Sequence, residues 1–282
     1  METPYHAGEL AVQSQAGVQA EAANLGNIIG ATIKPAAKDF LQNQRFAIAA
    51  TIDSNNVCAS LLTGKPGFIQ AIGDRVVNIQ ATIPGEALQV GLLVIDFATR
   101  RRLRINGKAT RKSDDSTDIA TQQVYFNCPK YIQRRHLVAD DTQLPTASVQ
   151  DFDSLTVKQQ QWITSADTFF IASMHPESGA DTSHRGGYPG FIQVLNAKQL
   201  VFPDYVGNNM FNTLGNIALN PNSSLLFVDF ECSKTLQLTG EASIVWEKER
   251  LVEFQIERVR ETANATNLRW QFEEYSPFNP VL

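Results

Sequence analysis

The chain has 282 residues, 43% of them apolar, which predicts a folded globular protein with one large domain or two ordinary ones. A formal net charge of −5 and a pI near 5.4 disfavour nucleic acid and anionic membranes as partners, because a protein that binds either one usually has a broad excess of Lys and Arg. Three cysteines without a CxxC spacing indicate neither a disulfide framework nor a zinc site, so we expect no bound metal.

The chain begins with METPYHAGEL, which lacks the basic and apolar segments of an export signal. No apolar run reaches the roughly 18 residues that span a bilayer, so we expect a cytoplasmic protein. A helical pattern follows in KPAAKDFLQN, residues 34–43, and another in SLTVKQQQWIT, where Ser154 or Thr156 is placed to cap the helix.

Short apolar runs predict antiparallel strands over most of the chain. FAIAATI, GFIQAI, LLVIDF and LRINGKA are bounded by Gly, Pro, Asn or Asp, and helical patterns do not alternate with them as in a parallel α/β fold. Near the end, LVEFQIERV alternates Val252, Phe254 and Ile256 with polar residues, which is the period of a half-buried strand. The polar stretch 139–153, ADDTQLPTASVQDFD, is predicted to be a linker.

The chain contains an internal repeat. Residues 45–70 align without a gap on residues 168–193 with ten identities, which include PGFIQ in both copies. Residues 92–109 align on 225–242 through the shared pattern LL..DF.....L...G.A. The offset grows from 123 to 133, so the second copy carries ten additional residues between these blocks. Two copies of a small β unit, each closed against its own edges, predict two small barrels packed together.

The two copies differ where a ligand is expected. The first has Leu61 and Leu62 before its PGF, whereas the second has His184 and Arg185, so we expect no ligand in the first copy. The additional residues of the second copy predict a helix with Met210, Phe211, Leu214, Ile217 and Ala218 on its apolar face and Asn208 or Asn209 at its N-cap. A helix start after Gly207 exposes backbone N–H groups to an anion such as phosphate, with His184 and Arg185 near; a capped surface helix beside a solvated arginine is the alternative.

A basic run, Arg100-Arg101-Arg102-Leu103-Arg104, places Arg100, Arg102 and Arg104 on one face of a strand. One interpretation is a second anionic site. The other, which the sequence favours slightly, is a solvated edge strand that charge protects from aggregation.

Several motifs together resemble the FMN-binding split-barrel family of pyridoxamine 5′-phosphate oxidase-like proteins, in particular its tandem-repeat subgroup. They are TSHRGGYPGF, LVFPDYVGNNMFNTLGNIALNP, LLFVDF followed by TLQLTGEA, and FNCPKYIQRR at 126–135. The resemblance covers residues 5–282. It implies a mainly β fold with flanking helices: two tandem six-stranded Greek-key barrels packed as a pseudo-dimer, spanning 1–138 and 154–282.

The resemblance also implies FMN held between the barrels, with its phosphate on the second. The cofactor-binding residues carried over from the second copy are Ser183, His184, Arg185, Pro203, Asp204, Gly207, Asn208, Asn209, Thr235 and Gln237. Those expected from the tail of the first copy are Lys130, Tyr131, Gln133 and Arg134. Asn208 and Asn209 stand where the family has basic or hydroxyl phosphate ligands, which leaves few evident cations for the phosphate.

The resulting hypothesis is an FMN-dependent oxidoreductase acting on an unidentified small molecule, because a flavin performs electron transfer itself and the protein positions it. The alternatives are a non-catalytic module that binds or senses a flavin, a deazaflavin or haem, and a scaffold without cofactor. No catalytic residue is assigned; His184, whose ordinary pKa lies near neutrality, is the candidate for proton transfer, or else a hydrogen-bonded core histidine. Trp270 is expected either to cover the flavin or to close the barrel. Pairing of two chains into a homodimer is left open.

Overall fold

The computed structural model describes residues 3–53, 56–84, 89–113, 115–138 and 146–281. The helices are α1 (Ala7–Gln15), α2 (Gln19–Gly26), α3 (Pro35–Gln42), α4 (Val157–Ser165) and α5 (Asn212–Leu219). The strands of the first half are β1 (Phe46–Asp53), β2 (Asn56–Thr63), β3 (Ile69–Ala71), β4 (Val76–Ile79), β5 (Gln89–Asp96), β6 (Arg101–Ser113), β7 (Ser116–Phe126) and β8 (Arg134–Val138). Those of the second half are β9 (Ser148–Phe152), β10 (Thr168–His175), β11 (Gly179–Gly186), β12 (Gln193–Asn196), β13 (Gln199–Pro203), β14 (Asn222–Asp229), β15 (Lys234–Trp246), β16 (Arg250–Ala263) and β17 (Arg269–Glu274).

Two antiparallel sheets with the same connectivity form the body of the protein. The first has the order β2-β1-β5-β6-β7-β4-β3, and the second has β11-β10-β14-β15-β16-β13-β12. Each strand of the second sheet is the ninth after its counterpart in the first, and β6 and β15 even share a bulge, at Asn106/Gly107 and Thr239/Gly240. The predicted mainly β, antiparallel fold is confirmed, although each sheet has seven strands on this path rather than six.

The predicted helices before each copy are present. In α4, Thr156 is the N-cap, and its side chain and that of Gln159 form a capping box, so Thr156 rather than Ser154 caps the helix. The predicted alternating strand near the C-terminus is β16, in which Val252, Phe254 and Ile256 are buried.

Part of the predicted linker is a strand. Residues 139–145 lie outside the described residues, but β9 pairs with the second sheet along β16. Its polar composition reflects exposure at this edge, where Asp151 forms ion pairs with Arg258 and Arg260 at 3.1 and 2.8 Å.

Apolar residues form a core on each sheet and a third core between the sheets. The third contains Phe46 and Leu93 from the first half and Phe170, Leu226 and Trp270 from the second. Trp270 is 6% exposed there and does not line the cleft described below, so it closes the core. The C-terminal strand β17 pairs with β8 and ties the two halves together.

The backbones of the two sheets are in close contact where β5 packs against β11. Thr182 donates a hydrogen bond from Oγ1 to the Gly91 carbonyl at 2.8 Å, and a Cβ atom on Gly91 would lie 2.5 Å from the Ala180 carbonyl oxygen. We therefore expect Gly91→Ala to force the strands apart and to lower the free energy of unfolding by about 1–3 kcal/mol, measured by denaturant titration. Gly30→Ala is the matched control, because a Cβ there meets nothing within 4 Å. An equal effect of both variants would contradict the close packing.

Candidate functional site: a cleft between the two sheets

An open cleft of about 800 Å³, its mouth included, lies where β6 of the first sheet faces β11 and the start of α5. Nine of the fourteen predicted cofactor-binding residues line it: Tyr131, Ser183, His184, Arg185, Pro203, Asp204, Gly207, Asn208 and Asn209. The structure thus brings together residues that are up to 78 positions apart, from Tyr131 to Asn209.

Five predicted residues do not line this cleft. Lys130 lies 5.7 Å from the ring centroid of Phe278, and Arg134 is paired with Glu274 at 3.1 Å. Thr235 and Gln237 lie on β15, and Gln237 lines a different depression.

Gln133, the fifth of these residues, is fully buried and joins separate chain segments instead of contacting a ligand. Its Nε2 donates to the carbonyls of Tyr131, Asp167 and Gly187 at 3.1–3.2 Å. Its Oε1 accepts from the backbone N–H of Ser276 at 2.7 Å, so the residue anchors the C-terminal segment.

Two arginines of the first sheet line the cleft and were not assigned to it from the sequence. Arg102 and Arg104 lie on β6, which is hydrogen-bonded to β5 on one side and β7 on the other. The strand is internal, and the side chains of Arg102 and Arg104, two positions apart, both contact the second half of the chain. The preferred interpretation of this run as a solvated edge strand is therefore wrong. Arg100 does not share their face, since it precedes β6 with φ of 53° and donates to the Ile132 carbonyl.

Arg104 is 3% exposed and is held by several groups of the second half. Its Nη1 is 2.6 Å from a carboxylate oxygen of Asp181, and its Nη2 donates to the Thr182 carbonyl at 3.0 Å and to Ser183 Oγ. Ser183 in turn lies 2.8 Å from Thr213 Oγ1 on α5. A buried ion pair of this kind fixes the position of Arg104 at the base of the cleft.

Arg102 differs from Arg104 because no carboxylate of the described residues lies within ion-pair distance of it. Its Nη1 donates to Nδ1 of His184 at 3.1 Å. Removal from water, together with the neighbouring cations Arg104 and Arg185, lowers the pKa of Arg102 to about 10, so it remains protonated at neutral pH. The cleft therefore contains a cation without a protein counter-charge.

His184 is a neutral hydrogen-bonding residue rather than a proton shuttle near pH 7. It is 4% exposed, and burial together with Arg102, Arg135 and Arg185 lowers its pKa well below the ordinary value, which corrects the expectation of a group that titrates near neutrality. Because Arg102 donates to Nδ1, the ring proton is assigned to Nε2.

Arg185, the other predicted cation, is balanced by acid. Its Nη1 is 2.8 Å from Asp204, which is also bound by Arg250 at 2.7 Å. Two arginines thus share one carboxylate at the rim of the cleft, which leaves this cluster with one net positive charge.

The helix α5 begins two or three residues later than predicted, since its N-cap position is residue 211 rather than Asn208 or Asn209. Asn208 and Asn209 lie in a turn, in which Asn208 Oδ1 accepts from the Met210 N–H at 3.2 Å. The N-cap position is occupied by Phe211 in a left-handed conformation, φ 58°, without a side-chain cap. Asn212 and Thr213 of the first turn line the cleft. The first N–H groups of a helix have no intrahelical acceptor, so this end favours an anion.

The buried polar atoms that lack partners around the cleft are all donors. Among the described residues that line it, five buried side-chain atoms have no hydrogen-bond partner, and all are nitrogens that carry hydrogen: Arg102 Nε, Arg104 Nε, Asn127 Nδ2, His184 Nε2 and Arg185 Nε. Buried polar groups are usually satisfied. The cleft is therefore rich in donors and suited to a ligand rich in acceptors.

Comparison with known proteins finds a family model that is similar to the second half of the chain. Residues 155–277 match the family model described as pyridoxamine 5′-phosphate oxidase, which confirms the predicted resemblance over that range. No curated protein matches the chain.

Solved structures that resemble part of the chain share little sequence with it. A histidine-to-alanine variant of HupZ from Group A Streptococcus is 14% identical, covers 38% of this chain and 98% of its own, and has a TM-score of 0.32. A putative pyridoxamine 5′-phosphate oxidase from Lactobacillus delbrueckii is 14% identical, with coverages of 38% and 94% and the same TM-score, 0.32. The FAD binding protein from Mycobacterium smegmatis is 13% identical, covers 41% and 98%, and has a TM-score of 0.28. Similarity at this level does not transfer a function.

Metal clusters and membrane-spanning helices were both considered over the described residues. These residues contain no cluster of His, Cys, Asp or Glu that could hold a metal ion. Over the same part of the chain, no helix has the length and apolar character that crossing a bilayer requires.

Proposed function

We propose that the cleft binds a flavin nucleotide, FMN, between two tandem split barrels that pack as a pseudo-dimer. The matching strand orders of the two sheets and the apolar core between them support this arrangement. The proposed boundaries are 1–138 for the first barrel, 139–153 for the connection and 154–282 for the second barrel. The family match over 155–277 supports a flavin as the ligand class.

The observation that carries the proposal is the excess of donors in the cleft. Arg102 has no carboxylate partner among the described residues, and every unpaired buried side-chain nitrogen that lines the cleft carries hydrogen. FMN supplies phosphate oxygens and ring carbonyls as acceptors. The residues that would hold the phosphate are Arg102, Arg185 and the first turn of α5, so the first sheet supplies the cation that Asn208 and Asn209 do not.

Bound FMN would supply electron transfer, and we propose an FMN-dependent oxidoreductase with a small-molecule substrate. The protein would then bind and orient the flavin and admit the substrate. An assay that monitors flavin absorbance while a reduced nicotinamide is added tests the proposed redox activity separately from FMN binding. Binding without reduction would favour the non-catalytic module.

Arg102→Met tests the binding site. We expect FMN to bind the purified wild-type protein and to be identified by mass spectrometry after unfolding. Loss of one charge-assisted contact of about 1.5–3 kcal/mol should weaken FMN binding by about 10- to 100-fold, measured by quenching of flavin fluorescence. Riboflavin, which lacks the phosphate, should bind both proteins alike.

Arg101→Met is the matched control for Arg102→Met. Arg101 is the preceding residue of the same strand, is exposed, and lies over the rings of Phe40 and Phe126 at 5.0 and 4.8 Å. The Arg101→Met substitution should leave FMN affinity within about twofold of wild type, because this side chain does not line the cleft. Absence of FMN uptake by the wild-type protein, or equal losses in both variants, would refute the proposed site.

A further inference from the structure

The N-terminal helix α1 packs on α5 at backbone distance. A Cβ atom on Gly215 of α5 would lie 2.6 Å from Glu9 Cγ, and one on Gly8 would lie 2.9 Å from Leu219 Cδ1. Glycines at both contact positions let the two helices approach this closely. The consequence is that the first turn of α1, with Glu9, lies beside the beginning of the helix that lines the cleft.

Glu9 is a buried carboxyl group that is hydrogen-bonded only by neutral groups. It is 4% exposed and accepts from the His6 backbone N–H at 2.8 Å and from Asn212 Nδ2 at 2.5 Å. His6 Nε2 lies 3.5 Å away, but burial and His175 lower the pKa of His6 to about 4. No Lys or Arg of the described residues lies within ion-pair distance of Glu9.

A chain of hydrogen bonds connects Glu9 to the cleft. Asn212, the first residue of α5, lines the cleft and donates to Glu9, while its Oδ1 accepts from the Tyr125 hydroxyl at 3.1 Å. Arg104 Nη1 lies 3.3 Å from the same hydroxyl and also pairs with Asp181. Two side chains, each no more than 9% exposed, thus separate the Glu9 carboxyl from a cleft arginine.

The electrostatic surroundings bring the protonation equilibrium of Glu9 close to neutral pH. Burial is the largest influence and raises its pKa to about 7; Asp181 adds to this, while the bonds from His6 and Asn212 and the charge of Arg104 oppose it. The other titratable groups that face this region are Tyr5, His6, His175 and Tyr125. Burial, with a contribution from Glu9 itself, raises the pKa of Tyr5 to about 12.

From this geometry we propose that Glu9 couples ligand binding to proton uptake: an anionic ligand in the cleft binds best when Glu9 carries its proton. The inference rests on the proposed function and adds regulation to the same site. A negative ligand beside Arg102 and Arg104 is repelled by a charged Glu9 across this low-dielectric network. By linkage, the bound anion in turn raises the pKa of Glu9.

The test compares FMN affinity at pH 6 and pH 8 in the wild-type chain and in Glu9→Gln. Relative to Glu9→Gln, wild-type affinity should fall by about fivefold as the pH rises, the change expected over this range when the bound anion raises the pKa of Glu9 by one unit. Glu9→Gln keeps the shape of the side chain but cannot ionise, so its affinity should not fall. The phosphate of FMN ionises further near pH 6, an effect that acts in the opposite direction.

Glu21→Gln is the matched control, because Glu21 is an exposed acid on the neighbouring helix α2 and should retain the wild-type pH dependence. Riboflavin should show little pH dependence with any variant. Calorimetry at pH 7 in buffers of different ionisation enthalpy should show proton uptake on FMN binding by wild type and less by Glu9→Gln.

The outcomes separate the two proposals. If no variant binds FMN at either pH, the proposed function fails and this inference fails with it. If FMN binds but its affinity changes equally between pH 6 and pH 8 in the wild-type chain and in Glu9→Gln, the coupling is overturned while the binding site stands.

Discussion

Replacing Arg104 with Met should lower the free energy of unfolding by about 3–5 kcal/mol at pH 7, the cost of leaving one partner of a buried ion pair without its counter-charge. Arg104 and Asp181 have side chains only 4% and 5% exposed and are 2.6 Å apart. Without the arginine, burial raises the pKa of Asp181 unopposed by its main cation, so the carboxyl must take up a proton or stay charged in an apolar region. Chemical denaturation measures the loss.

The control for Arg104→Met is Arg258→Met, which removes an exposed ion pair. Arg258 is 57% exposed and pairs with Asp151 at 3.1 Å, so we expect a loss below about 1 kcal/mol. Equal losses in the two variants would contradict the assigned burial of the Arg104 pair.

The internal repeat provides a second check on the Arg104 pair. The offsets of 133 and 123 place Gln237 and Cys58 at the positions that correspond to Arg104 and Asp181, and both line a depression separate from the cleft. The double variant Arg104→Gln/Asp181→Cys copies this neutral pair. It should recover more than about half of the stability lost in Arg104→Met, because no buried charge is left alone. No recovery would mean that the cost lies in packing rather than in charge.

The second large effect is the pH dependence of stability that Glu9 imposes. In the folded protein its pKa is about 7 rather than the ordinary 4.5, so between these values the folded state holds a proton that the unfolded state releases. Stability must therefore fall as the pH rises through this window and then level off. The difference between the two pKa values corresponds to about 3 kcal/mol.

Glu9→Gln should remove this loss. We expect the variant to gain about 3 kcal/mol relative to wild type between pH 4 and pH 8, measured by denaturant titration at both values. Glu21→Gln, at an exposed position, should show no comparable gain. A Glu9→Gln difference that is the same at both pH values would show that folding does not shift the pKa of Glu9.

Local patterns were sufficient for much of the secondary structure. Alternation predicted β16, Thr156 with Gln159 began α4 as a capping box, and Pro35 began α3 at its first position. The start of α5 differs from the prediction because the Asn208 side chain accepts a hydrogen bond from the Met210 N–H in a turn instead of capping the helix. Such a bond is as local in sequence as a helix cap. Sequence cannot rank two such short-range solutions when both are of similar energy.

Half of the candidate site was accessible to sequence reasoning and half was not. His184 and Arg185 replace Leu61 and Leu62 of the first copy, so comparison of the copies found them, whereas Ser183 matches Ser60 and was carried over from the family resemblance. Arg102 and Arg104 were visible as alternating arginines, but their meaning depends on which strand faces them. An exposed edge strand and an internal strand beside a cleft have the same one-dimensional pattern.

The sequence by itself determined the duplication, the antiparallel β character and the asymmetry between the copies, because these depend on residue identity and on contacts between near neighbours. Only the tertiary structure decided that β6 of one half supplies cations to a cleft in the other and that Glu9 of α1 lies beside α5. Those contacts join residues 77 and 203 positions apart, Arg104 to Asp181 and Glu9 to Asn212. Their formation depends on how two sheets and two helices pack, which no local pattern encodes.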